Sequence, residues 1–151
     1  MLYALCLFFI LCGCHAAMSR LKPPLGEEGE IYLYLQPYPQ EAERLRFSIE
    51  GISAVSLDGR EFPFEISLGD IKASDVRRQR LLASGRVPAG SYTGLSFKVK
   101  KAVLTVEGGE ADLHVPEAAA RTDFQIQVSK KRAYVISLSL KYRESISGGF
   151  S

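Results

Sequence analysis

From Ile31 onward, apolar and polar residues alternate along one short segment after another, and a period of two is the pattern of half-buried β-strands. The segment Leu45–Glu50 alternates cleanly, and Leu95–Val99 does the same inside the longest apolar stretch. Roughly seven to nine such segments follow one another, separated by turn residues. The pattern predicts an all-β domain over residues 31–142, an antiparallel β-sandwich of the immunoglobulin or prealbumin type.

Turn residues separate the predicted strands. Asp58-Gly59 is the strongest hairpin signal in the chain, and Lys130–Arg132 predicts a turn between the last two strands. Two segments have helical character instead: Asp70–Leu82, as one or two turns, and Pro116–Arg121, as a single turn with proline at its first position. Because both are too short to cover a sheet, the pattern favours the all-β class over α/β.

The segment Val87–Tyr92 reads Val-Pro-Ala-Gly-Ser-Tyr and predicts a tight turn before a strand that opens with tyrosine. In sandwich domains such a tyrosine caps the core, and its hydroxyl bonds back to the backbone of the turn. Strict alternation places Tyr92 on the opposite face from Leu95, so a bulge at Gly94 is needed to return the ring to the core. Contact with a ligand is the alternative role of this ring.

The first nineteen residues carry no charged side chain and contain all three cysteines, Cys6, Cys12 and Cys14. Met1–Gly13 consists of twelve apolar residues and one glycine. A transmembrane helix needs about 20 apolar residues, whereas the apolar part of a secretory signal has about 7–15. Residues 1–13 are therefore predicted to be a signal peptide. An ordinary cleaved signal that ends near Ala16-Ala17 and an uncleaved anchor are the alternatives.

The end of this run, Leu11-Cys12-Gly13-Cys14, resembles the lipobox of bacterial lipoproteins. The resemblance implies cleavage before Cys14, a diacylglycerol on its thiol and an acyl group on its new amino group. Residues 14–30, with their Pro, Gly and Glu content, are then a lipid-anchored tether. Because His15 rather than aspartate follows the cysteine, the resemblance points to the outer membrane of a Gram-negative bacterium. That family normally has basic residues before the apolar run, and this chain has none there.

The stretch from Phe47 to Val106 resembles a bacterial domain family of secreted lipoproteins. The shared features are the alternating strand pair over Phe47–Gly59, the segment Arg80–Gly85, and a Pro-Ala-Gly-x-Tyr turn that opens Val87–Lys101. The resemblance implies the sandwich fold and an envelope address, and it implies no catalytic residues. Residues 143–151 are predicted to be a C-terminal linker or tail.

The sequence lacks the common motifs of catalysis. Its histidines are His15, in the tether, and His114, between two apolar residues of a predicted strand. Metalloprotease, nucleophile-elbow and phosphate-loop motifs do not occur, and a zinc site needs more ligands than the mature domain offers. The net charge of +2 excludes a strongly basic nucleic-acid-binding protein. We therefore expect no catalytic residues, metal, cofactor or nucleic-acid partner.

Two sets of surface residues are candidates for binding. The aromatic set, Tyr32, Tyr34 and Tyr38, lies beside two prolines and suits stacking on sugar rings. The basic set suits contact with phosphate-bearing lipids or an acidic polysaccharide. Its members are Lys98, Lys100, Lys130, Lys131 and Arg132. Solvated strand edges are the alternative interpretation of the basic set.

Together these features predict a membrane-anchored bacterial lipoprotein that acts as a non-enzymatic binding or scaffold domain at the cell envelope. The membrane is the expected partner through acylated Cys14, and an envelope protein or a polysaccharide is the expected second partner. A carbohydrate-binding module and a small hydrolase built around His114 are the alternatives.

Overall fold

The computed structural model describes residues 22, 24–38, 42–72 and 76–141. Within them the chain forms ten β-strands and no α-helix, so the predicted all-β class is confirmed. The strands are Glu28–Leu35 (β1), Leu45–Ser56 (β2), Glu61–Pro63 (β3), Glu65–Ile66 (β4), Asp70–Lys72 (β5), Arg80–Pro88 (β6), Gly90–Val106 (β7), Gly109–Leu113 (β8), Ala120–Val128 (β9) and Ala133–Leu138 (β10). The predicted signal peptide, Cys14 and the tail 143–151 lie outside the described residues.

Two sheets form the predicted antiparallel β-sandwich. One sheet has four strands in the order β10-β1-β6-β4, and the other has six strands with β2 and β7 at its centre. The outer edge of β2 pairs with β3 and β5, and the outer edge of β7 pairs with β9 and β8. Among the described strands only β1 and β10 run parallel, with Glu30 to Leu35 beside Ala133 to Leu138. The immunoglobulin or prealbumin type of the sandwich stays a prediction.

The core lies between the sheets and consists of the apolar residues that alternate along the strands. On β1, Ile31, Leu33 and Leu35 are buried, while Tyr32 and Tyr34 between them face the other side of the sheet. Each fully buried aliphatic side chain contributes about 1.5–3 kcal/mol relative to an exposed one. The other buried members of the core are Ile52, Ala54, Phe64, Ile71, Val76, Leu82, Ala83, Val87, Tyr92, Leu95 and Val128.

The predicted helical turns over Asp70–Leu82 and Pro116–Arg121 are wrong. The first segment contains β5 and the start of β6, and β9 begins at Ala120 inside the second. In β5 the side chain of Ile71 is only 2% exposed, so the strand buries the apolar residue on which the helix prediction rested. The backbone of the first segment forms hydrogen bonds with the edge of β2 through β5, and that of the second forms them with the edge of β7 through β9. An isolated helix of one or two turns, in contrast, is unstable in water.

Tyr92 caps the end of the core, as predicted. Its side chain is 3% exposed, and its hydroxyl donates a hydrogen bond of 2.7 Å to the carbonyl oxygen of Pro88. The pairing of β7 with both β2 and β9 shifts between Tyr92 and Gly94, which leaves Thr93 as the extra residue of a bulge. The bulge places Tyr92 and Leu95 on the same inner face. The predictions of the corner and of the bulge are therefore confirmed.

Substitution of Tyr92 tests this corner. Tyr92→Phe loses one hydrogen bond but keeps the ring edge-on to Phe62, so the free energy of unfolding should fall by about 0.5–1.5 kcal/mol. Tyr92→Ala deletes the buried ring and should lower it by about 3–5 kcal/mol. Urea unfolding of the chain that begins at Arg20 measures both values. Near-wild-type stability of Tyr92→Ala would show that the ring does not support the core.

Gly94 lies where the backbones of β7 and β9 approach each other closely. A methyl group at Gly94 would collide with the carbonyl oxygen of Thr122, and the Cα atom of Asp123 would lie 3.3 Å away. Both neighbours are backbone atoms of a paired strand and cannot move without disturbing the sheet.

We expect Gly94→Ala to lower the free energy of unfolding by about 1–3 kcal/mol, the usual cost of overpacking. Gly51→Ala, on the adjacent strand, is the matched control, because the added methyl group meets only the Cβ atom of Lys98 at 4.0 Å. Its effect should stay within about 0.5 kcal/mol. Urea unfolding compares the two variants, and equal losses would contradict the close approach of β9.

Candidate functional site

The aromatic set is divided between two environments. Tyr32 and Tyr34 are half-buried on the outer face of the four-stranded sheet, next to Val135, which is 66% exposed. Tyr38 instead packs against the core, where its ring meets Phe47 with centroids 6.4 Å apart. Its buried hydroxyl has no hydrogen-bond partner among the described residues, and burial raises its pKa. The structure thus brings two of the three tyrosines together and separates the third.

A nearly buried carboxylate lies on the same outer face. Only 9% of the Glu30 side chain is exposed, and one of its carboxylate oxygens accepts a 2.8 Å hydrogen bond from Lys22 Nζ. Burial alone would raise the pKa of Glu30, but hydrogen bonds from Lys22 and Tyr32 and the positive charge of Arg86 lower it below its usual value. Arg86 lies directly opposite Glu30 in the register of β1 and β6. We call Glu30 and Lys22 the clamp, because they fasten the segment before β1 to the sheet.

The clamp affects how Tyr32 can bind a ligand. Lys22 Nζ lies 5.5 Å from the centroid of the Tyr32 ring, a cation–π contact that covers one face of the ring. Beside the clamp, a shallow cavity of about 310 Å³ is lined by charged and small residues. These residues are Lys22, Glu30, Pro63, Glu65, Ser84, Gly85 and Arg86. Of the two rings on this face, Tyr34 is therefore more available than Tyr32 for stacking on a sugar.

The basic set forms two groups. Lys98 and Lys100 lie in the middle of β7, and Lys98 Nζ is 3.1 Å from a carboxylate oxygen of Glu50. The turn Lys130–Arg132 is adjacent to the start of β7, because Val128 pairs with Gly90. Lys98 lies eight positions after Gly90 along β7, which is about 26 Å at the rise of a β-strand. The structure therefore does not gather the predicted basic residues into one patch.

Four features meet at the end of the sandwich that contains the Lys130–Arg132 turn. They are the start of β1, the hairpin Leu57–Arg60, the turn Pro88–Gly90 and the turn Ser129–Arg132. The backbone amide of Leu57 donates to the carbonyl oxygen of Ser91 at 2.9 Å. The amide of Lys131 donates to the carbonyl oxygen of Glu28 at 2.8 Å, so these loops are joined by the backbone. We call this the tether end.

The tether end has an exposed apolar residue and a cavity. The side chain of Leu57 is 73% exposed, the largest exposed fraction among the big apolar residues that the structure describes. Beside it, a cavity of about 440 Å³ opens between the hairpin and the Pro88–Gly90 turn. Arg60 lies in the wall of this cavity, with its guanidinium 5.7 Å from the ring centroid of Phe62 and its Nε 2.7 Å from the Asp58 carboxylate.

The opposite end of the sandwich, which we call the far end, contains an apolar cavity of about 260 Å³. Its lining consists of Leu45, Phe47, Val99, Ala102, Leu113, His114, Val115, Pro116, Ala120 and Leu140. His114 is the one ionisable residue of this lining, and its neighbours there are apolar. The cavity thus suits an apolar group, and it does not present His114 with the acidic partner that a hydrolytic triad requires.

Sequence patterns missed the clamp and the exposure of Leu57. The sequence pattern places Glu30 in the tether, because it follows two other glutamates. In the structure β1 begins at Glu28, three residues before the predicted start at Ile31, and therefore includes Glu30. The signal for its position was its spacing of two from Tyr32, which places both on one face of a strand. In the sequence Leu57 continues the apolar alternation of β2. In the structure β2 ends at Ser56, so Leu57 is the first residue of the hairpin turn and its side chain lies in solvent.

The described part of the chain contains no cluster of three or more metal-ligating side chains. It also contains no helix with the length and apolar character that crossing a bilayer requires. Comparison of the chain with protein-family models, with curated proteins and with solved structures gives no match.

The clamp predicts a specific dependence of stability on pH. Because the pKa of Glu30 in the folded chain lies below its usual value of 4.5, the clamp stabilises the fold above about that pH. The contribution is lost as the pH falls through the lowered pKa. Lys22→Met should raise the pKa of Glu30 and lower the free energy of unfolding at neutral pH. We expect a loss of about 1 kcal/mol or less, because the lysine is solvent-exposed.

The difference between Lys22→Met and the wild type should shrink toward acid pH, as urea unfolding at several pH values would measure. An NMR titration of the Glu30 carboxyl gives the pKa directly. Lys130→Met is the matched control, since it removes the same charge from an ion pair with Glu27 in which both side chains are more than 60% exposed. The clamp would be refuted by equal pH dependence in the two variants.

Proposed function

We propose that this chain is a membrane-anchored bacterial lipoprotein whose β-sandwich is a non-enzymatic binding or scaffold domain at the cell envelope. The observation that carries the proposal is the position of the tether. The chain enters the sandwich at the tether end, and the apolar cavity lies at the far end. An anchor at Cys14 would therefore attach the domain to the bilayer by the end opposite the cavity, so that the far end stays accessible to a partner.

The anchor itself rests on the apolar run that ends in Leu11-Cys12-Gly13-Cys14. A single acyl chain binds a membrane only marginally, whereas several chains on one residue hold a protein stably. A diacylglycerol on the Cys14 thiol and an acyl group on its amino group would supply several chains. The proposed location is the outer membrane, since His15 follows the cysteine.

The binding role is supported by the shape and polarity of the far end. A concave, mostly apolar surface with few polar groups is the usual form of a binding site. An envelope protein that inserts an apolar side chain fits this cavity better than a polysaccharide does. The alternative of a carbohydrate-binding module is supported by Tyr34 and Val135 on the outer face. Two contacts weaken it: Tyr38 packs against the core, and Lys22 covers one face of the Tyr32 ring.

Metabolic labelling with a fatty-acid probe tests the anchor. The wild-type chain should acquire the label and sediment with membranes, and Cys14→Ala should lose both properties, because no other residue presents the acceptor thiol at the cleavage site. Cys12→Ala is the matched control: it removes a neighbouring thiol but keeps a small residue before the cleavage site, so labelling should persist. A Cys14→Ala chain that still carries the label would disprove lipidation at this residue.

A further inference from the structure

The hairpin at the tether end holds an apolar side chain out in solvent. The amide of Ser56 donates to the carbonyl oxygen of Arg60, and the amide of Gly59 donates to that of Ser56, both at 2.9 Å. Gly59 has a φ of +81°, a conformation that glycine adopts without strain. Asp58 adds a salt bridge to Arg60 across the turn. Leu57 is thus exposed on a fixed turn, and its burial elsewhere would cost little conformational entropy.

A second turn at the tether end, Ser129–Arg132, carries positive charge. Lys131 has a φ of 57°, and its amide is bonded to the carbonyl oxygen of Glu28, while the Tyr134 hydroxyl accepts a hydrogen bond from the Ser129 amide at 2.8 Å. These contacts fix the turn. Within the described residues, the side chains of Lys131 and Arg132 have no acidic group within 4.0 Å.

The acidic groups at this end are mostly neutralised. Glu27 is paired with Lys130, Asp58 is paired with Arg60, and Glu30 is buried in the clamp. Glu28 and Glu61 remain as exposed acids of the tether end. The positive charge without an acidic partner is therefore concentrated in the Ser129–Arg132 turn, at Lys131 and Arg132, where it attracts the phosphate groups of lipids.

The proposed anchor keeps this end close to the bilayer. Thirteen residues lie between Cys14 and Glu28, and a chain of that length spans at most about 45 Å when fully extended. A short link of this kind turns a weak surface contact into an intramolecular one with a high effective concentration. An exposed leucine at the same end of the sandwich as two cations without an acidic partner suits the boundary between headgroups and acyl chains.

We propose that the tether end docks on the bilayer, with Leu57 inserted at the level of the lipid carbonyls and with Lys131 and Arg132 against phosphate headgroups. This inference rests on the proposed anchoring at Cys14. It goes beyond anchoring, because it fixes the orientation of the domain. The strand β7 then runs away from the membrane from its start at Gly90, and the cavity of the far end faces away from the bilayer. A domain held by the tether alone would have no preferred orientation.

Depth-dependent quenching of a fluorophore tests the docking on the full lipidated chain. In the mature chain Cys14 is acylated and Cys6 and Cys12 are removed, so Leu57→Cys introduces a single free thiol for an environment-sensitive label. The labelled protein is reconstituted into vesicles of phosphatidylcholine and phosphatidylglycerol that contain a nitroxide-bearing lipid. We expect a blue-shifted emission at position 57 and strong quenching by the lipid.

Val106→Cys is the matched control. Val106 is also an exposed apolar residue, 42% exposed, but it ends β7 about 50 Å from Ser91 at the rise of a β-strand. Quenching at position 57 should exceed quenching at position 106 several-fold. Equal, weak quenching at both positions in a protein that carries the fatty-acid label would overturn the docking and leave the anchor intact. Absence of the fatty-acid label would overturn the proposed function, and the docking with it.

The role of the charges is tested by Lys131→Asn with Arg132→Gln in the labelled Leu57→Cys chain. Asparagine is used because it tolerates the positive φ of position 131, and urea unfolding checks that the variant is folded. Quenching at position 57 should fall several-fold, and it should be weak in vesicles of phosphatidylcholine alone. Lys98→Gln with Lys100→Gln removes the same charge from the middle of β7 and should change nothing. Binding of a soluble acidic polysaccharide without quenching by lipid would overturn the proposal in favour of a polymer ligand.

Discussion

The backbone pairing of β7 is the constraint on which the rest of the structure depends. This seventeen-residue strand pairs with β2 along most of its length, and its other edge is shared by β9 and β8. The bulge at Thr93 changes the face on which the following residues lie, so that Tyr92 and Leu95 both reach the core. Without a side chain at Gly94, β9 can approach closely enough to pair with β7 beyond the bulge. The positions of both ends of the sandwich follow from this one ladder.

Alternation along single strands was sufficient to predict the class of the fold, because each strand buries one face. Tyr92 was predictable as well, since the Pro-Ala-Gly turn fixes where β7 begins and the required bulge follows from the odd spacing to Leu95. The helical prediction for Asp70–Leu82 was wrong for a nonlocal reason: the edge of β2 that stabilises β5 is not visible in the segment itself. Local propensity is a weak guide wherever such an edge is open.

The candidate site was less predictable than the fold, because its parts come from loops that meet only through the topology. Lys131 and Leu57 are more than seventy residues apart in sequence, yet both turns lie at the end where β1 begins. Tyr38 has the same residue type as Tyr34 and lies four positions away, but the chain turns inward after Leu35, so that the Tyr38 ring packs against the core and its hydroxyl is buried. Periodicity assigns a face only while a strand continues, and here β1 has already ended.

The clamp links the local chemistry of one carboxylate to the proposed orientation of the domain. Glu30 is on the outer face of β1, where a charged side chain would ordinarily be solvated. Its side chain is nevertheless only 9% exposed, and its carboxylate accepts hydrogen bonds from Lys22 and from the hydroxyl of Tyr32. In the proposed anchoring, the Lys22 contact reduces the number of residues between Cys14 and the first contact with the domain from thirteen to seven, which span at most about 25 Å. For a domain anchored as proposed, a shorter link would raise the effective concentration of the tether end at the bilayer. The ion pair is partly exposed and therefore weak, so its effect on docking comes from geometry: it favours the short link without making it permanent.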